Sequence, residues 1–447
     1  MEKTQALLLI LFLIAIVLSA SSLYYATSVM NAVDRISEIQ GSVGELEDKV
    51  NSLWSEVFGK PPEQKPPLQG QILRIGVVTP LSGAMATFGM AGKRGVEWAA
   101  EEINSAGGIL GAFIQVFVED SAGDPKIAVT AAEKLITVDR CQIIRSVFHS
   151  ASTLAVTEVS EKYEVPLVTV GCVADDITKK GYKYTFRMGP NSTTACYNIV
   201  KFVEDVFKPR KLVIMHENSV MGVNYAQADL KFINELHPEW QVLSVEPYDS
   251  KSLDFKPLLE KVRSLNPDII ILHPYMTDAA LIKKQMTEMG YLPPMVSAGG
   301  TADLQFVELL GEQGHYWIQN NEWWCDRNYP NATAVKSIAV QCWNRYQRPF
   351  DFQLMWGYLG MYVIKLAVES CKSLDPKIIR NALATTEFYV PWYGPVKFYS
   401  NGQVIPIMTF IQIQPAKPDE PWNVNGWTYH TIWPKPYNSS KLVWPPP

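Results

Sequence analysis

Charge is sparse in this chain: Asp, Glu, Lys and Arg make up 19% of its 447 residues and leave a net charge of −5. The lysines and arginines are scattered, so the basic stripe that a polyphosphate backbone requires is missing and nucleic acid is excluded as a partner. Histidine is scarcer, with six dispersed residues. No His-Glu-x-x-His or Gly-x-Ser-x-Gly occurs, and Gly89-Met-Ala-Gly-Lys93 lacks the spacing of a phosphate loop. The six cysteines, at 141, 172, 196, 325, 342 and 371, show no zinc-like pairing. In an oxidising exterior they would suit disulfides, with a connectivity that sequence does not give. Glu119, Asp120 and Asp124 cluster near a turn, but without the alternation of a calcium loop. A binding protein is therefore expected rather than an enzyme, with no cofactor and no metal.

What the chain does have is apolar pattern. Hydrophobic residues reach 47%, enough for two compact domains. Ala6 to Ala26 are almost all apolar and as a helix would span roughly 30 Å, a bilayer core. The rival reading is a cleavable signal peptide, with Leu18-Ser-Ala-Ser-Ser22 as its processing site. No cysteine lies nearby, which argues against a lipoprotein. The segment after it favours a retained anchor over residues 1–26: Val29, Ile36, Val43, Val50 and Val57 alternate with Ala32, Ile39, Leu46 and Leu53 as a heptad seam. This predicts a coiled-coil stalk over 27–58 and a homo-oligomer through 29–57. The alternative is an amphipathic helix packed on its own domain. Lys60-Pro-Pro-Glu-Gln-Lys-Pro-Pro67 cannot be helix and reads as a stiff linker within 59–71. Sequons at Asn191, Asn331 and Asn438 agree with a cell-membrane location in which the globular part is extracellular.

The globular part opens on Ile75, Val77 and Val78, a short strand closed by Thr79-Pro80, followed by a loop and a helical pattern from Met90 to Ile103. In an open parallel sheet such a loop sits at the crevice, with a helix amino terminus aimed into it. The βα alternation continues with strands at 113–119, 143–147 and 167–170 and helices at 125–138 and 152–163. It restarts after Pro190 with strands at 212–215, 242–248 and 269–272 and helices at 220–236, 257–265 and 278–290.

At Pro80-Leu-Ser-Gly83, Phe88-Gly89, Ile103-Asn104, Gly107-Gly-Ile109, Asp124-Pro125 and Ser150-Ala-Ser-Thr153, the chain resembles the leucine/isoleucine/valine-binding protein family, the type I solute-binding proteins of ABC importers. The resemblance runs from about Leu73 to about Gln414. It implies an α/β fold: two doubly wound lobes of the type I periplasmic-binding-protein fold around a hinged cleft, here preceded by a transmembrane helix and coiled-coil stalk. Lobe I would take 72–188 and 320–408, lobe II 189–319 and 409–430, and a Pro/Trp-rich tail without strand or helix periodicity 431–447. Crossings fall at Pro190, near 316–322 and between 398 and 410, where Ser400-Asn-Gly-Gln403 looks like a hairpin turn.

The resemblance also implies a site. Ser82 faces the crevice, and Ser150, Ala151, Ser152 and Thr153 hold an anionic group at a helix start. Gly171, Cys172 and Val173 lie beside the pocket, Phe88 and Met221 form apolar walls, and Tyr275 and Gly299 face it from lobe II. Trp323 either stacks on the ligand or packs beneath the hinge. The family places a glutamate where this chain reads Ser297-Ala-Gly-Gly-Thr301, and a threonine where it has Val173. Two partners for an α-ammonium are thus missing, unless the register slips and Glu308 or Glu322 supplies the charge. The expectation is an extracytoplasmic solute-binding protein of an ABC import system, of the branched-chain amino acid-binding type. It captures a small organic ligand (carboxylate, amide or amino acid-like, and more narrowly one without a free α-amine) and delivers it to an ABC permease. The alternative is an oligomeric cell-surface structural subunit that has kept the fold.

Overall fold

The computed structural model describes residues 65–445, apart from Ala84 and Ile407, together with Ser42, Glu45, Leu46, Lys49 and Ser52. Those five upstream positions are helical. The expected anchor, the remainder of the stalk and the first residues of the linker lie outside the described residues. Among the described residues no helix is long and apolar enough to cross a membrane. Residues 1–66 and 67–447 form separate units.

The second unit holds two large sheets and a two-stranded hairpin. In the first lobe β1 (Ile72–Thr79), α1 (Ala86–Ser105), β2 (Phe113–Asp120), α2 (Pro125–Thr137), β3 (Ile143–Val147), α3 (Ser150–Tyr163), β4 (Leu167–Val170), the single turn α4 (Asp176–Lys179) and β5 (Thr185–Arg187) alternate. All five strands are parallel, in the order β2-β1-β3-β4-β5. Burial along β1 is nearly continuous from Leu73, as expected of a strand covered by helices on both faces. Asp124 caps α2, accepting from the amides of Lys126 and Ile127 with Pro125 in the first turn.

The second lobe repeats the plan with α5 (Ser192–Val206), β6 (Lys211–Glu217), α6 (Val220–Leu236), β7 (Gln241–Tyr248), α7 (Lys256–Leu265), β8 (Ile269–His273), α8 (Met276–Glu288), β9 (Met295–Ala298), α9 (Leu304–Leu310) and β10 (Ile318–Asn321). The chain then returns to lobe I as α10 (Ala332–Tyr346), α11 (Phe352–Cys371), α12 (Pro376–Thr385) and the hairpin β11 (Glu387–Val390) with β12 (Gly394–Lys397). It ends in lobe II with β13 (Thr409–Pro415) and β14 (Trp427–Trp433). Lobe II is a seven-stranded sheet in the order β14-β13-β10-β9-β8-β6-β7, whose last two strands in sequence run antiparallel.

The carboxyl segment, which shows no strand periodicity, thus contributes a sheet edge. Its tryptophans hide the pattern: Phe202 stacks on Phe410 with ring centroids 3.9 Å apart, and Trp433 packs edge-on to both. Helix α11 is apolar on every side because it is buried between α1 and the rest of lobe I. A Cβ on Gly95 would stand 2.1 Å from the Leu354 carbonyl, and one on Gly357 2.1 Å from the Gly92 carbonyl, so the two backbones touch.

Ser400 to Gln403 do form a tight turn, with Gly402 at φ 76°, but not a hairpin. The chain leaves the turn to pair with Arg187, whose N–H donates to the Gly402 carbonyl at 2.8 Å and whose carbonyl accepts from Val404 at 3.0 Å. The disulfides anticipated for an oxidising exterior are not formed: all six cysteines are free, and all but Cys371 are buried.

Candidate functional site

The carboxyl ends of both sheets open on one cleft, where the crevice rule for parallel sheets puts a ligand. Lobe I contributes Phe148, His149 and Ser150 after β3, Gly171 and Val173 after β4, and Phe352 at the start of α11. Lobe II contributes Met221 and Tyr225 from α6, Tyr275 after β8, and Gly299 and Gly300 after β9. Asn320, Asn321 and Glu322 come from the strand that crosses between the lobes. The space among these residues amounts to about 550 Å³, open solvent at its mouth included.

The β3–α3 turn is held in an unusual shape, with Phe148 at φ 63° and His149 at φ 91°. His149 pins it: Nδ1 lies 2.7 Å from Ser152 Oγ, its carbonyl accepts from the Thr153 amide, and burial holds the imidazole's pKa below its usual value. The hydroxyls expected to hold an anion are engaged to different degrees. Thr153 Oγ1 lies 2.7 Å from Ser146 Oγ, whereas Ser150 Oγ accepts from the amides of Val173 at 3.1 Å and Ala174 at 3.3 Å, which leaves its O–H to donate. Beside that O–H the helix offers a ligand its first-turn amides and the positive end of its dipole. Ala151 does not border the cleft.

Several expected site residues sit elsewhere. Ser82 is exposed and donates to Asp120 Oδ2 at 2.6 Å, because that carboxylate ties the β1–α1 loop to the turn after β2, accepting also from the amides of Leu81 and Ala122. Phe88 is buried and stacks on Phe148 with centroids 4.3 Å apart, beside the cleft rather than on its wall. Cys172 turns into lobe I, its Sγ 2.9 Å from Thr169 Oγ1, and burial raises its pKa, so it is an unreactive thiol. Trp323 is fully buried beneath the hinge, donating to the Phe350 carbonyl at 3.1 Å with the Arg327 guanidinium 4.3 Å from its ring centroid.

The missing lobe II glutamate has a steric reason. Gly299 sits at φ 154°, and a Cβ there would stand 2.0 Å from the Pro274 carbonyl. At Gly300 the space is taken by the Phe88 ring, whose Cζ would be 3.1 Å from an added Cβ. Glu308 is exposed on α9. Glu322 enters the cleft instead from the end of β10, 8% exposed and in no ion pair with a described residue. Burial pushes its carboxyl up to about 7. The Trp356 indole beside it draws the value down without closing a hydrogen bond of ordinary geometry. Sequence reasoning did not single out Tyr225, Asn320, Asn321, Phe148 or Phe352.

Two clusters carry metal-ligand side chains among the described residues: Cys196, Asp229 and His273 inside lobe II, and Asp326, Glu420 and His430 near the carboxyl end. His430 is satisfied on both nitrogens, Nδ1 3.1 Å from Asp326 Oδ2 and Nε2 3.0 Å from the Pro415 carbonyl. His273 Nε2 lies 2.5 Å from Asp229 Oδ2, while His273 Nδ1 and Asp229 Oδ1 are buried without a hydrogen-bond partner among the described residues.

A family model described as periplasmic binding protein matches residues 72–418. Leu/Ile/Val-binding protein homolog 7 of Brucella suis biovar 1 (strain 1330) is 27% identical over 329 residues, 70% of this chain and 81% of that protein. A branched-chain amino acid transporter substrate-binding protein of Streptococcus pneumoniae, solved with isoleucine, superposes with TM-score 0.69 at 21% identity, covering 81% of this chain and 100% of the other. A solute-binding protein of an ABC transporter from Rhodopseudomonas palustris BisB5, solved with 3,4-dihydroxybenzoic acid, superposes with TM-score 0.69 at 16% identity, covering 80% and 95%. At these identities the structural likeness speaks for the two-lobe fold alone.

Proposed function

Because the chain belongs to the periplasmic binding protein family, in its branched-chain amino acid-binding branch, we propose that it is the extracytoplasmic solute receptor of an ABC importer, closing its lobes on a small organic carboxylate. The observation that carries this reading is the cleft, where strand ends of both lobes and a hinge carboxyl surround one enclosed space. The amino end of α3 suits the ligand's carboxylate. Glu322, buried without a cation, suits a hydrogen-bond donor, because an acid kept from water gains most from a partner that brings its own charge or N–H.

Glu322 also alters the argument about the amine. Gly299 and Val173 still lack the functional groups that would hold an α-ammonium, but an acid now reaches the cleft from a different strand. The ligand is therefore a carboxylate, amide or amino acid-like compound with its donor directed to the hinge. The isoleucine and dihydroxybenzoic acid bound by the two solved proteins are both carboxylates.

The finer parts of the reading concern how the receptor is mounted. The apolar run of 6–26 supports a membrane anchor and the heptads of 29–57 a parallel oligomeric stalk, with the binding unit handing its ligand to a permease. The structural-subunit alternative draws no support from the cleft.

A thermal-shift screen of the full chain in nanodiscs, confirmed by calorimetry, tests the reading with leucine, isoleucine, valine, their deaminated analogues and hydroxybenzoates. A ligand at 100 times its dissociation constant stabilises the bound fold by about 2.7 kcal/mol. No shift with any of these carboxylates would sink the proposal.

A further inference from the structure

A second hollow of about 980 Å³, open solvent included, lies beside the cleft between the lobes. Its walls are mostly apolar: Met85 and Phe88 from lobe I face Leu253, Met276 and Leu281 from lobe II. It adjoins the cleft at one shared residue. Tyr275 borders both spaces, and Phe88, on the wall of the hollow, stacks on Phe148 of the cleft and meets Gly300. Leu253 is 85% exposed at its rim, an apolar side chain left in water where a tail could cover it.

We propose that the ligand is elongated, with its polar head near Ser150 and Glu322 and an aliphatic or aryl tail passing Phe88 and Tyr275 into this hollow. The proposal rests on the reading of the cleft as the solute site. The chemistry of the two spaces differs in the way such a ligand requires. The cleft sets asparagines, amides and a carboxyl among apolar walls such as Val173, Met221 and Phe352. The hollow presents chiefly thioether, leucine and aromatic surface, with Lys251, Asp278 and three serine or threonine residues among its lining; the apolar part contributes affinity through area removed from water rather than through directed bonds. Its partly exposed walls would be covered only by a molecule already anchored in the cleft.

The test uses the full chain in nanodiscs, with empty nanodiscs as the blank, and calorimetry with two series of four to eight carbons: straight-chain L-2-amino acids and n-alkanoates. Affinity should rise about fourfold per methylene, the equivalent of about 0.8 kcal/mol per buried CH₂. Leu253→Asp, on an exposed loop, should weaken the eight-carbon members tenfold or more and leave the four-carbon members and the unfolding temperature unchanged. Met85→Asp should act in the same direction. Affinity that peaks at four or five carbons and then falls would overturn the inference while leaving the solute-receptor reading intact. Long-chain binding indifferent to both variants would also overturn it. Failure of every member of both series to bind would remove both.

Discussion

Phe88 of lobe I and Gly300 of lobe II meet with no side chain between them: a Cβ on residue 300 would stand 3.1 Å from Phe88 Cζ. The contact joins the two lobes beside the cleft. Phe88 cannot retreat easily, since its other face stacks on Phe148.

Restoring the family's acid with Gly300→Glu should therefore hold the lobes apart rather than supply a ligand contact. Small-angle scattering should show a larger radius of gyration, and ligand affinity should fall tenfold or more. In a Phe88→Ala background the same substitution should be tolerated, with a coupling energy of about 1 kcal/mol or more between the two sites. Additive effects would mean that the contact does not limit closure.

Glu322 predicts a pH dependence of stability. Its carboxyl titrates at about 7 in the fold against an ordinary 4.5. Between those values the folded chain keeps a proton that the unfolded chain has lost. The group's contribution is therefore fully present below the unfolded pKa, declines as pH rises and is lost above the folded pKa. The difference is worth about 3 kcal/mol. Glu322→Gln, which carries no charge at either pH, should gain stability over the parent at pH 8 and show little difference at pH 4. Urea unfolding of both proteins at the two pH values measures this; parallel curves would mean that Glu322 is hydrated.

Arg145 is fully buried without a carboxylate, its guanidinium donating to the carbonyls of Gly357 at 3.2 Å and Trp356 at 3.0 Å. Burial pulls its pKa down to about 9. A Cβ on Gly360 would fall 1.8 Å from Nη1. Gly360→Ala should thus destabilise by about 2 kcal/mol, overpacking outweighing the gain of roughly 1 kcal/mol in helix propensity. With Arg145→Met the clash disappears, and Gly360→Ala should become neutral or stabilising. Equal losses in both backgrounds would refute the steric account.

The periodic part of the molecule is legible in the sequence. Most strands and helices from β1 to α8 have apolar patterns of ordinary length; Ser150 sits where the crevice rule puts a ligand loop, while Val173, Tyr275 and Gly299 come from the family resemblance and agree with that rule. Three elements are exceptions: α4 and β5, at four and three residues, are too short to show a period, and α5 is hidden because Pro190 and the sequon at Asn191 read as a crossing, although Ala195, Ile199 and Phe202 keep the helical spacing. The hinge strand is placed near 316–322 by the family resemblance, but its part in the cleft is not legible, for a different reason. Gln319, Asn320 and Asn321 are polar yet buried, which no hydropathy pattern anticipates. Their partners are distant in sequence: Gln319 bonds to Thr301 and to the Gly299 carbonyl, and Asn320 donates to the Thr409 carbonyl. Glu322 comes after them into the cleft, so its place depends on tertiary contacts and not on spacing.

Arg187 and Gln403 tie the first crossing between lobes to the third. Arg187 ends β5 and is fully buried; its Nε donates to Gln403 Oε1 at 2.6 Å, and its other nitrogens donate to the carbonyls of Cys172 and Ala174 and to Thr178 Oγ1. Gln403 in turn donates through Nε2 to the Gly189 carbonyl at 2.8 Å. Both crossings are thereby held to lobe I up to Gly189 and Val404, and flexure must fall beyond them. Gln403→Leu would leave a buried guanidinium N–H and a carbonyl unpaired, a loss of about 3 kcal/mol. Since neither residue borders the cleft, ligand affinity should stay within about threefold of the parent. Urea unfolding and calorimetry on the same variant separate the two quantities. An affinity loss as large as the loss of stability would show that the hinge bends inside the stitched segment, and would move the pivot from beyond Val404 to the Ser400–Gln403 turn itself.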